Sequence, residues 1–395
     1  MAKTGRYNSA VPGTVICALI SGMLSGSIGA ADAQTRISQA PWGTLSDGSP
    51  VTRYTLTNAH GANASFMPLG AAILSLEVPE SSGILADVVL GFDAAADYNT
   101  GNGAQFGLTI GRYANRLFGT QLTIGEQTYP LDSLPNRDGT PGRVVLHGGP
   151  EGFGTRVWTA STVEDADGPG VRFTLVSPDG DQGFPGEMTA SVTYLWTDEY
   201  RLIVDYQATA TKPTVVNLTQ HSYFNLKGAG NGDILDHTLQ IAADFYTFAL
   251  PDNRPTGEIL LVHNTPFDFT SPKPIGRDIA ADDPQMLANR GYNQNYVLRG
   301  SSLPGAQMPA ATLHDPESGR IMNVFTSEPG LFLYTANFID SARTMKGGLR
   351  YPQRAGVALE TGHFPDSPNL LHFPGTTLLP GEIYKSRTVF AFSFQ

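Results

Sequence analysis

Residues 190–206 have the sequence ASVTYLWTDEYRLIVDY. Polar and apolar side chains alternate within residues 190–196 and again within 202–206, and the polar segment 197–201 between them has the composition of a hairpin connection. Because the side chains of a strand alternate between its two faces, this pattern is typical of strands with one buried face. The stretch therefore predicts two antiparallel strands joined by a short turn.

The same period of two continues on both sides of this predicted hairpin. Residues 171–176 alternate in the same way, and from Tyr54 onward short apolar runs are separated by clusters of Gly, Pro, Asn and Asp. Only two short segments, near 92–98 and 278–287, have a helical pattern. With 44 Gly, 28 Pro and only 15% charged residues, the chain is predicted to be all-β, an antiparallel sandwich or barrel.

The first 33 residues differ from the rest of the chain. Lys3 and Arg6 precede an uncharged segment, residues 11–30, and residues 31–33 have the A-x-A pattern of a cleavage site. We interpret residues 1–33 as a secretory signal peptide and residues 34–395 as a single domain, because no linker or repeat divides them. An uncleaved membrane anchor is the alternative, but Pro12 and many Gly and Ser residues make a poor span. The mature protein is thus expected to be secreted, into the periplasm, with no membrane contact.

Charge and cysteine content narrow the possible partners. The net charge is -11, and removal of two positive groups and one negative group with the signal peptide takes it to -12. An acidic chain without basic clusters argues against nucleic acid or anionic membranes as partners. The one cysteine, Cys17, lies in the signal peptide, so the mature chain has no disulfide and no cysteine-ligated metal.

Residues 216–226, VNLTQHSYFNL, begin as a β-branched apolar run and continue as a cluster of hydrogen-bonding side chains. The run predicts a strand, and His221 follows it with Gln220, Ser222 and Tyr223 on either side. Imidazole titrates near neutral pH, so a histidine held by polar neighbours is a candidate proton-transfer group. The alternative is a histidine whose ring is satisfied within its own strand.

Two further segments carry groups suited to binding a polar ligand. Residues 111–116, GRYANR, place two guanidinium groups and a carboxamide after a predicted strand, where they hold hydroxyls or anions, or else form a surface ion-pair site. Residues 146–149, LHGG, place His147 before two glycines that let backbone approach a ligand closely. A tight turn is an equally good description of that segment.

A carboxylate, Glu360, follows three apolar residues at the predicted end of a strand. An unpaired charge beside the core is costly, so Glu360 is either a surface residue or the partner of another functional group. His221 is the most suggestive partner. The spacing of His147, His221 and His363 matches no metal motif, so no metal and no cofactor is predicted, although a zinc site assembled only in three dimensions remains an alternative.

Together these segments resemble the aldose 1-epimerase, or galactose mutarotase, family. The resemblance extends over almost the whole mature chain and rests on the order and spacing of seven motifs: residues 111–116, 146–149, 179–186 (DGDQGFPG), 217–226, 255–258 (PTGE), 334–338 (YTANF) and 359–361 (LET). It implies a large antiparallel β-sandwich with a sugar site in a cleft on its concave side. It also implies an isomerase that needs no cofactor and acts on free sugars such as glucose or galactose.

The resemblance further implies roles for individual residues. Glu360 is expected to be the general base and His221 the general acid, and the residues expected to hold the sugar are Asn115, Arg116, His147, Tyr223 and Asn293. The chain departs from the family pattern at Asn293, where a sugar-binding carboxylate is usual, and at Phe332, where some relatives carry glutamine. Both departures concern specificity more than proton transfer.

Two alternatives to an epimerase of free aldoses follow from the same residues. One is a secreted carbohydrate-binding protein that has kept the scaffold and lost turnover, since a fold does not determine function. The other is an epimerase of a phosphorylated or otherwise modified sugar, which calls for more Lys or Arg than Arg112 and Arg116. The expected assembly is a monomer or a weak dimer.

Overall fold

A computed structural model of the protein describes residues 36–100, 102–135, 140–300, 306–339 and 342–395. The predicted signal peptide, residues 1–33, lies outside these segments. The described residues form one compact unit. None of the helices in the described segments is long and apolar enough to cross a membrane.

The described residues are mostly β-strands. The first five strands are β1 (Ile37–Thr44), β2 (Pro50–Thr57), β3 (Asn63–Met67), β4 (Ala72–Pro79) and β5 (Leu85–Asp87). The helix α1 (Ala95–Thr100) is followed by β6 (Thr109–Ile110), β7 (Arg116–Phe118), β8 (Gln121–Ile124), β9 (Gln127–Pro130) and β10 (Val144–Leu146). Longer strands come next: β11 (Thr159–Asp165), β12 (Gly168–Ser177), β13 (Met188–Trp196) and β14 (Arg201–Ala210).

Shorter strands occupy the middle of the chain. These are β15 (Thr214–Val215), β16 (Thr219–Gln220), β17 (Tyr223–Phe224), β18 (Thr238–Ile241), β19 (Ala243–Ala249), β20 (Pro255–Leu261) and β21 (Lys273–Pro274). The helix α2 (Pro284–Asn289) precedes β22 (Asn293–Leu298), β23 (Met308–His314), β24 (Arg320–Thr326), β25 (Gly330–Tyr334), β26 (Val357–Gly362), β27 (Thr377–Leu378) and β28 (Tyr384–Phe394). Short 3-10 helices lie at Phe153–Thr155, Asp181–Gly183, Ile275–Arg277, Lys346–Gly348 and Ser367–Asn369.

Three antiparallel sheets form the body of the fold. One has five strands in the order β1-β2-β3-β4-β5, and the largest has nine, β11-β12-β13-β14-β28-β24-β23-β18-β21. The third has six, β17-β26-β25-β22-β19-β20. The predicted hairpin is confirmed, because β13 pairs with β14 from Met188 opposite Ala210 to Trp196 opposite Leu202. The prediction of an all-β antiparallel architecture is confirmed as well.

The nine-stranded sheet packs against both of the other sheets. The ring of Tyr194 on β13 stacks on Phe66 of the five-stranded sheet, with 4.6 Å between ring centroids. The ring of Phe390 on β28 packs on Phe224 of the six-stranded sheet at 5.1 Å. Large buried aromatic side chains of this kind supply much of the apolar area that stabilises a sandwich. One main hydrophobic core therefore fills the space between the three sheets.

The second face of the six-stranded sheet is the one that matters for function. Thr361 on β26 points to the nine-stranded sheet, because its Oγ1 lies 2.6 Å from Oγ1 of Thr388 on β28. Leu359 points the same way and is part of the core. Since side chains alternate along a strand, Glu360 between them points to the opposite face.

The prediction of one continuous strand at the start of residues 216–226 is wrong. Three two-residue strands lie in or beside this segment, and each pairs with a different partner: β15 with β27, β16 with β6, and β17 with β26. Between them, the backbone of Asn217 bonds to the loop at Arg112 and Ala114 instead of to a sheet. Local composition indicates extended backbone, but the choice of partner depends on distant segments.

The two predicted helical segments overlap α1 and α2, although each helix begins and ends later than the pattern indicated. The start of α2 is set by an N-terminal cap. Asp283 has extended backbone, and its side chain accepts hydrogen bonds from the backbone N–H groups of Gln285 and Met286. An aspartate in this position, followed by proline, fixes where a helix starts.

Candidate active site

All seven side chains that the sequence singled out as site residues line one cavity of about 240 Å³. They are Asn115, Arg116, His147, His221, Tyr223, Asn293 and Glu360. Pockets that enclose drug-sized ligands are usually about 300–1,000 Å³. The cavity is thus suited to a small polar molecule of about one sugar ring.

The register of the six-stranded sheet explains how distant residues meet here. Tyr223 pairs with Ala358, which pairs with Tyr334, which pairs with Asn293. Two residues further along the same strands, Glu360 pairs with Phe332. Residues that pair directly, or that lie two apart on one strand, have side chains on the same face of the sheet, so this face forms the floor of the cavity.

Glu360 and His221 face each other in this cavity. Nε2 of His221 lies 3.6 Å from Oε1 of Glu360, and each residue is only 5% exposed. This distance is longer than a hydrogen bond, so both groups are available to a ligand. Glu360 was predicted at the end of a strand, but it lies inside β26, and its carboxylate makes no hydrogen bond with a described residue.

Burial controls the protonation of the carboxylate. It raises the pKa of Glu360 above its ordinary value, and the nearby His221 and Arg116 oppose that shift without cancelling it. A carboxylate that titrates closer to neutral pH is a stronger base than an ordinary glutamate.

The expectation that polar neighbours orient the ring of His221 is wrong. Gln220 donates instead to the hydroxyl of Tyr194, and Ser222 donates to Gln220. Nδ1 of His221 is buried without a hydrogen-bond partner among the described residues. Packing holds the ring, because its centroid lies 5.2 Å from those of both His147 and Tyr223.

His147 is held as a neutral hydrogen-bond donor. Its Nδ1 accepts a hydrogen bond from the backbone N–H of Asn115 at 3.3 Å, so the ring proton belongs on Nε2. Burial, with repulsion from His221 and Arg116, lowers the pKa of His147 well below 6.5. The tight turn expected here is present, since His147 has φ of 53° and Gly148 has φ of 86°. A Cβ at position 148 would collide with the carbonyl oxygen of Gly111, so the turn requires glycine.

Two tyrosines provide neutral hydroxyl groups to the cavity. Burial raises the pKa of Tyr223 well above 10, and the nearby Tyr334 and Glu360 add to the shift. Burial likewise raises the pKa of Tyr334. Both phenols therefore remain protonated, as hydrogen-bond donors.

The two arginines of residues 111–116 separate into different roles. Arg116 lines the cavity, and its Nη1 donates to Oδ1 of Asn115 at 3.2 Å. Arg112 lies elsewhere and is buried, with Nη1 donating to the carbonyl oxygens of Pro185 and Gly186 at 2.9 Å. A surface ion-pair site is therefore the wrong description of Arg112, which stabilises the loop at 179–186.

Asn217 connects the segments that carry the site. Its Oδ1 accepts from the backbone N–H of His363 at 2.9 Å, and its Nδ2 donates to the carbonyl oxygens of His363 and Ala114, both at 3.3 Å. Asn217 is 1% exposed and lies four residues before His221. One buried amide thus joins the chain next to Asn115, the chain beyond Glu360 and the chain leading to His221.

We expect Asn217→Ala to remove the side-chain partner of three buried or partly buried backbone groups. This should lower the free energy of unfolding by about 3 kcal/mol, since one buried unpaired group costs about 1–3 kcal/mol. Because substrate contacts remain while the catalytic groups shift, kcat should fall more than KM rises.

Chemical denaturation and steady-state kinetics measure the two effects of Asn217→Ala. Asn231→Ala, which removes an exposed amide bonded to the Lys227 carbonyl, is the control, and equal effects of both substitutions would contradict the joining role.

Some cavity residues were not identified as functional from the sequence. Tyr334 could have been found, since it lies two residues from Phe332 and must share its face of β25. Gln105, which also lines the cavity, follows no motif and reaches it from the loop before β6. Tertiary structure alone places that residue.

The described residues contain no group of three or more His, Cys, Asp or Glu side chains placed to hold a metal ion. His363, one of the three histidines considered for such a site, instead lies in an ion pair outside the cavity. Its Nδ1 is 2.7 Å from Oε2 of Glu328.

A β-sandwich that places an imidazole and a carboxylate 3.6 Å apart in a polar, ring-sized cavity defines a sugar-converting acid–base enzyme. Comparison with known proteins gives the family. The family model for aldose 1-epimerase matches residues 52–391, and the chain belongs to that family.

Individual relatives agree with this assignment. The chain is 37% identical over 362 residues to a galactose mutarotase of Bos taurus, covering 90% of this chain and 98% of the relative. It is 36% identical over 348 residues to an aldose 1-epimerase of Escherichia coli K12, covering 88% and 96%. The crystal structure of a galactose 1-epimerase from Lactobacillus acidophilus NCFM superposes with a TM-score of 0.76 at 26% identity, covering 91% of this chain and 99% of that one.

Proposed function

We propose that this protein is an isomerase that interconverts the α and β anomers of free aldoses, with Glu360 as general base and His221 as general acid. The observation that carries the proposal is the 3.6 Å approach of the two groups within a cavity lined by hydrogen-bonding side chains. The hemiacetal hydroxyl and the ring oxygen of a sugar are bonded to the same carbon. Glu360 can therefore contact the hydroxyl oxygen while His221 contacts the ring oxygen.

The reaction then consists of two proton transfers and one bond cleavage. Glu360 takes the proton of the O1 hydroxyl while His221 gives a proton to the ring oxygen, so the bond from C1 to the ring oxygen breaks and the aldehyde forms. After rotation about the C1–C2 bond, the ring hydroxyl attacks the other face of the carbonyl. Both protons return in the reverse steps, and the electron count of the sugar does not change.

The other cavity residues are proposed to hold the sugar. His147, Tyr223 and Arg116 donate hydrogen bonds, and Asn115 and Asn293 supply amides. His147 is unsuited to be the acid, because its lowered pKa keeps it neutral near pH 7. It is suited to orient a hydroxyl through the proton on Nε2.

The direct test follows anomer exchange. Freshly dissolved α-D-glucose and α-D-galactose should approach equilibrium faster with the protein than without it, by polarimetry or proton NMR. A protein that binds these sugars in calorimetry but leaves the rate unchanged would be a carbohydrate-binding protein instead.

We expect a bell-shaped dependence of kcat/KM on pH. Glu360 acts as a base only when ionised, so activity should be lost as pH falls through its raised pKa, with a midpoint above the ordinary value of 4.5. Activity should fall again at high pH, because the reaction also needs a general acid in its protonated form. Rates measured in buffers of constant ionic strength give both limbs, and an acidic midpoint below 4.5 would contradict the role of burial. The other buried glutamate, Glu328, should not contribute to the acidic limb of this profile. The neighbouring His363 holds the pKa of its carboxyl below the usual range.

We also propose that the protein is exported to the periplasm after cleavage near residue 33. Support comes from the charged start, the uncharged segment 11–30 and the A-x-A pattern. Mass spectrometry of the protein from its native host should show an N-terminus close to Gln34. An intact Met1 on the active protein would contradict cleavage.

A further inference from the structure

The cavity has an end that lies away from the catalytic pair. Glu360 is on β26 and Asn293 is on β22, with β25 between them. Two strand spacings place the two backbones about 10 Å apart. Beyond Asn293 the cavity wall continues into a small recess that Arg116 and Asn253 also line. A sugar with C1 at Glu360 would place its far carbons at this end, which we call the distal end (Arg116, Asn253, Asn293).

Arg116 brings a guanidinium group to the distal end, where no acidic residue of the described chain lines the recess. The one hydrogen bond of this guanidinium group to a described residue is from Nη1 to Oδ1 of Asn115, and the group forms no ion pair with the described residues. Glu360 is the one acidic residue among those that line the cavity. Burial lowers the pKa of Arg116, and the charge of Glu360 opposes that shift without cancelling it, so the guanidinium group would gain from a further anionic partner at the distal end.

Asn293 keeps the distal end free of negative charge. Its Nδ2 donates to Oδ1 of Asn253 at 3.0 Å and to Oδ1 of Asn289 at 2.8 Å. Asn289 cannot reverse its amide without loss, because its own Nδ2 donates to the carbonyl oxygen of Gln285 at 2.9 Å. A carboxylate at position 293 would face the Asn289 oxygen at close range. The neighbouring amides therefore fit a neutral side chain at this position.

We infer that the preferred substrate is an aldose that carries a carboxylate on the carbon farthest from C1, that is, a hexuronic acid. This inference rests on the proposed anomerase function. A carboxylate matches the planar fork of a guanidinium group. It would supply a negative charge at the distal end to pair with the positive charge of Arg116. One guanidinium group balances one carboxylate, whereas a phosphate carries nearly two charges and usually binds several cationic groups. Among the described residues that line the recess none is acidic, so none of them repels the anion.

The test compares matched pairs of sugars. Anomer exchange of D-glucuronate against D-glucose, and of D-galacturonate against D-galactose, is measured by proton NMR at neutral pH. We expect kcat/KM of each hexuronate to exceed that of its neutral partner about tenfold, as one charge-assisted hydrogen-bond pair allows. The KM of the hexuronates should rise with added salt while that of the neutral sugars does not.

Two substitutions that add the same charge separate a local from a general effect. Asn293→Asp should lower the ratio of hexuronate to hexose kcat/KM by at least about tenfold, since like charges then meet at the distal end. Asn323→Asp adds its charge on the nine-stranded sheet, where Asn323 accepts from Thr312, and should leave the ratio unchanged. The salt dependence of the unsubstituted protein gives an answer even if Asn293→Asp does not fold.

The possible outcomes test the preference for hexuronic acids separately from the proposed anomerase function. Neutral aldoses accelerated as well as or better than hexuronates would overturn the inference and leave the anomerase function standing. A ratio that Asn293→Asp does not change would also overturn it. Acceleration of no aldose, neutral or anionic, would remove the proposed function and the inference with it.

Discussion

Replacing Glu360 with glutamine is expected to lower kcat for anomer exchange by at least about a hundredfold. The substitution keeps the shape of the side chain but removes the group that accepts the O1 proton, and loss of a general base costs on the order of 10²–10⁴ in rate. The carboxylate makes no hydrogen bond with a described residue and its burial disfavours the charge, so Glu360→Gln should be at least as stable as the unsubstituted protein. Polarimetry and thermal unfolding measure the two effects.

The matched control for this substitution is Glu328→Gln. Glu328 is a second buried glutamate, 3% exposed, which lies in an ion pair with His363 and receives a hydrogen bond from Tyr384. It does not line the cavity. Glu328→Gln should therefore reduce stability more than Glu360→Gln does, while the folded protein keeps most of its turnover. A Glu360→Gln protein with nearly unchanged turnover would remove Glu360 as the base.

His221→Ala is expected to cause a loss of similar size, about a hundredfold or more in kcat. Without the imidazole the ring oxygen loses its best proton donor, because His147 is held neutral and burial makes the phenols of Tyr223 and Tyr334 weaker acids still. The loss should appear in kcat more than in KM, since the sugar-holding side chains remain. Stopped-flow polarimetry with α-D-glucose measures both constants.

The control for His221→Ala removes a histidine that lies outside the cavity. His372 is exposed, and its Nε2 lies 2.7 Å from the carbonyl oxygen of Gly257. His372→Ala should leave kcat within about twofold of the unsubstituted value, as is usual for surface changes. Equal kinetic effects of the two substitutions would show that His221 acts through folding alone.

The sequence predicted the sheets better than it predicted their connections. Alternation in residues 190–206 was enough to predict the hairpin of β13 and β14, because a period of two is a local property. The division of residues 214–224 among three partner strands was not predicted, because strand pairing depends on segments more than 100 residues away. Local polarity also failed to show that Gln220 bonds to Tyr194 instead of orienting His221.

For the candidate site, too, the sequence indicated local chemistry but not all of the contacts made by distant segments. The residue types of His221 and Glu360 indicated acid–base chemistry and suggested the pairing that the structure places at 3.6 Å, and the family resemblance supplied the roles of base and acid. The roles of Arg112 and Arg116 could not be separated from the sequence, since both follow the same short strand. Only the fold shows that one guanidinium group holds the carbonyls at 185 and 186 and the other opens into the cavity.

The central claim is that Glu360 and His221 act together on one hemiacetal. The most direct measurement is NMR magnetisation exchange between α- and β-D-glucose in the presence of Glu360→Gln, His221→Ala and the double variant. If the two groups act as a unit, the double variant should be little slower than either single variant, because removing one already disables the concerted transfer. If the two losses multiply, so that each group contributes independently of the other, the account of a shared proton transfer is contradicted.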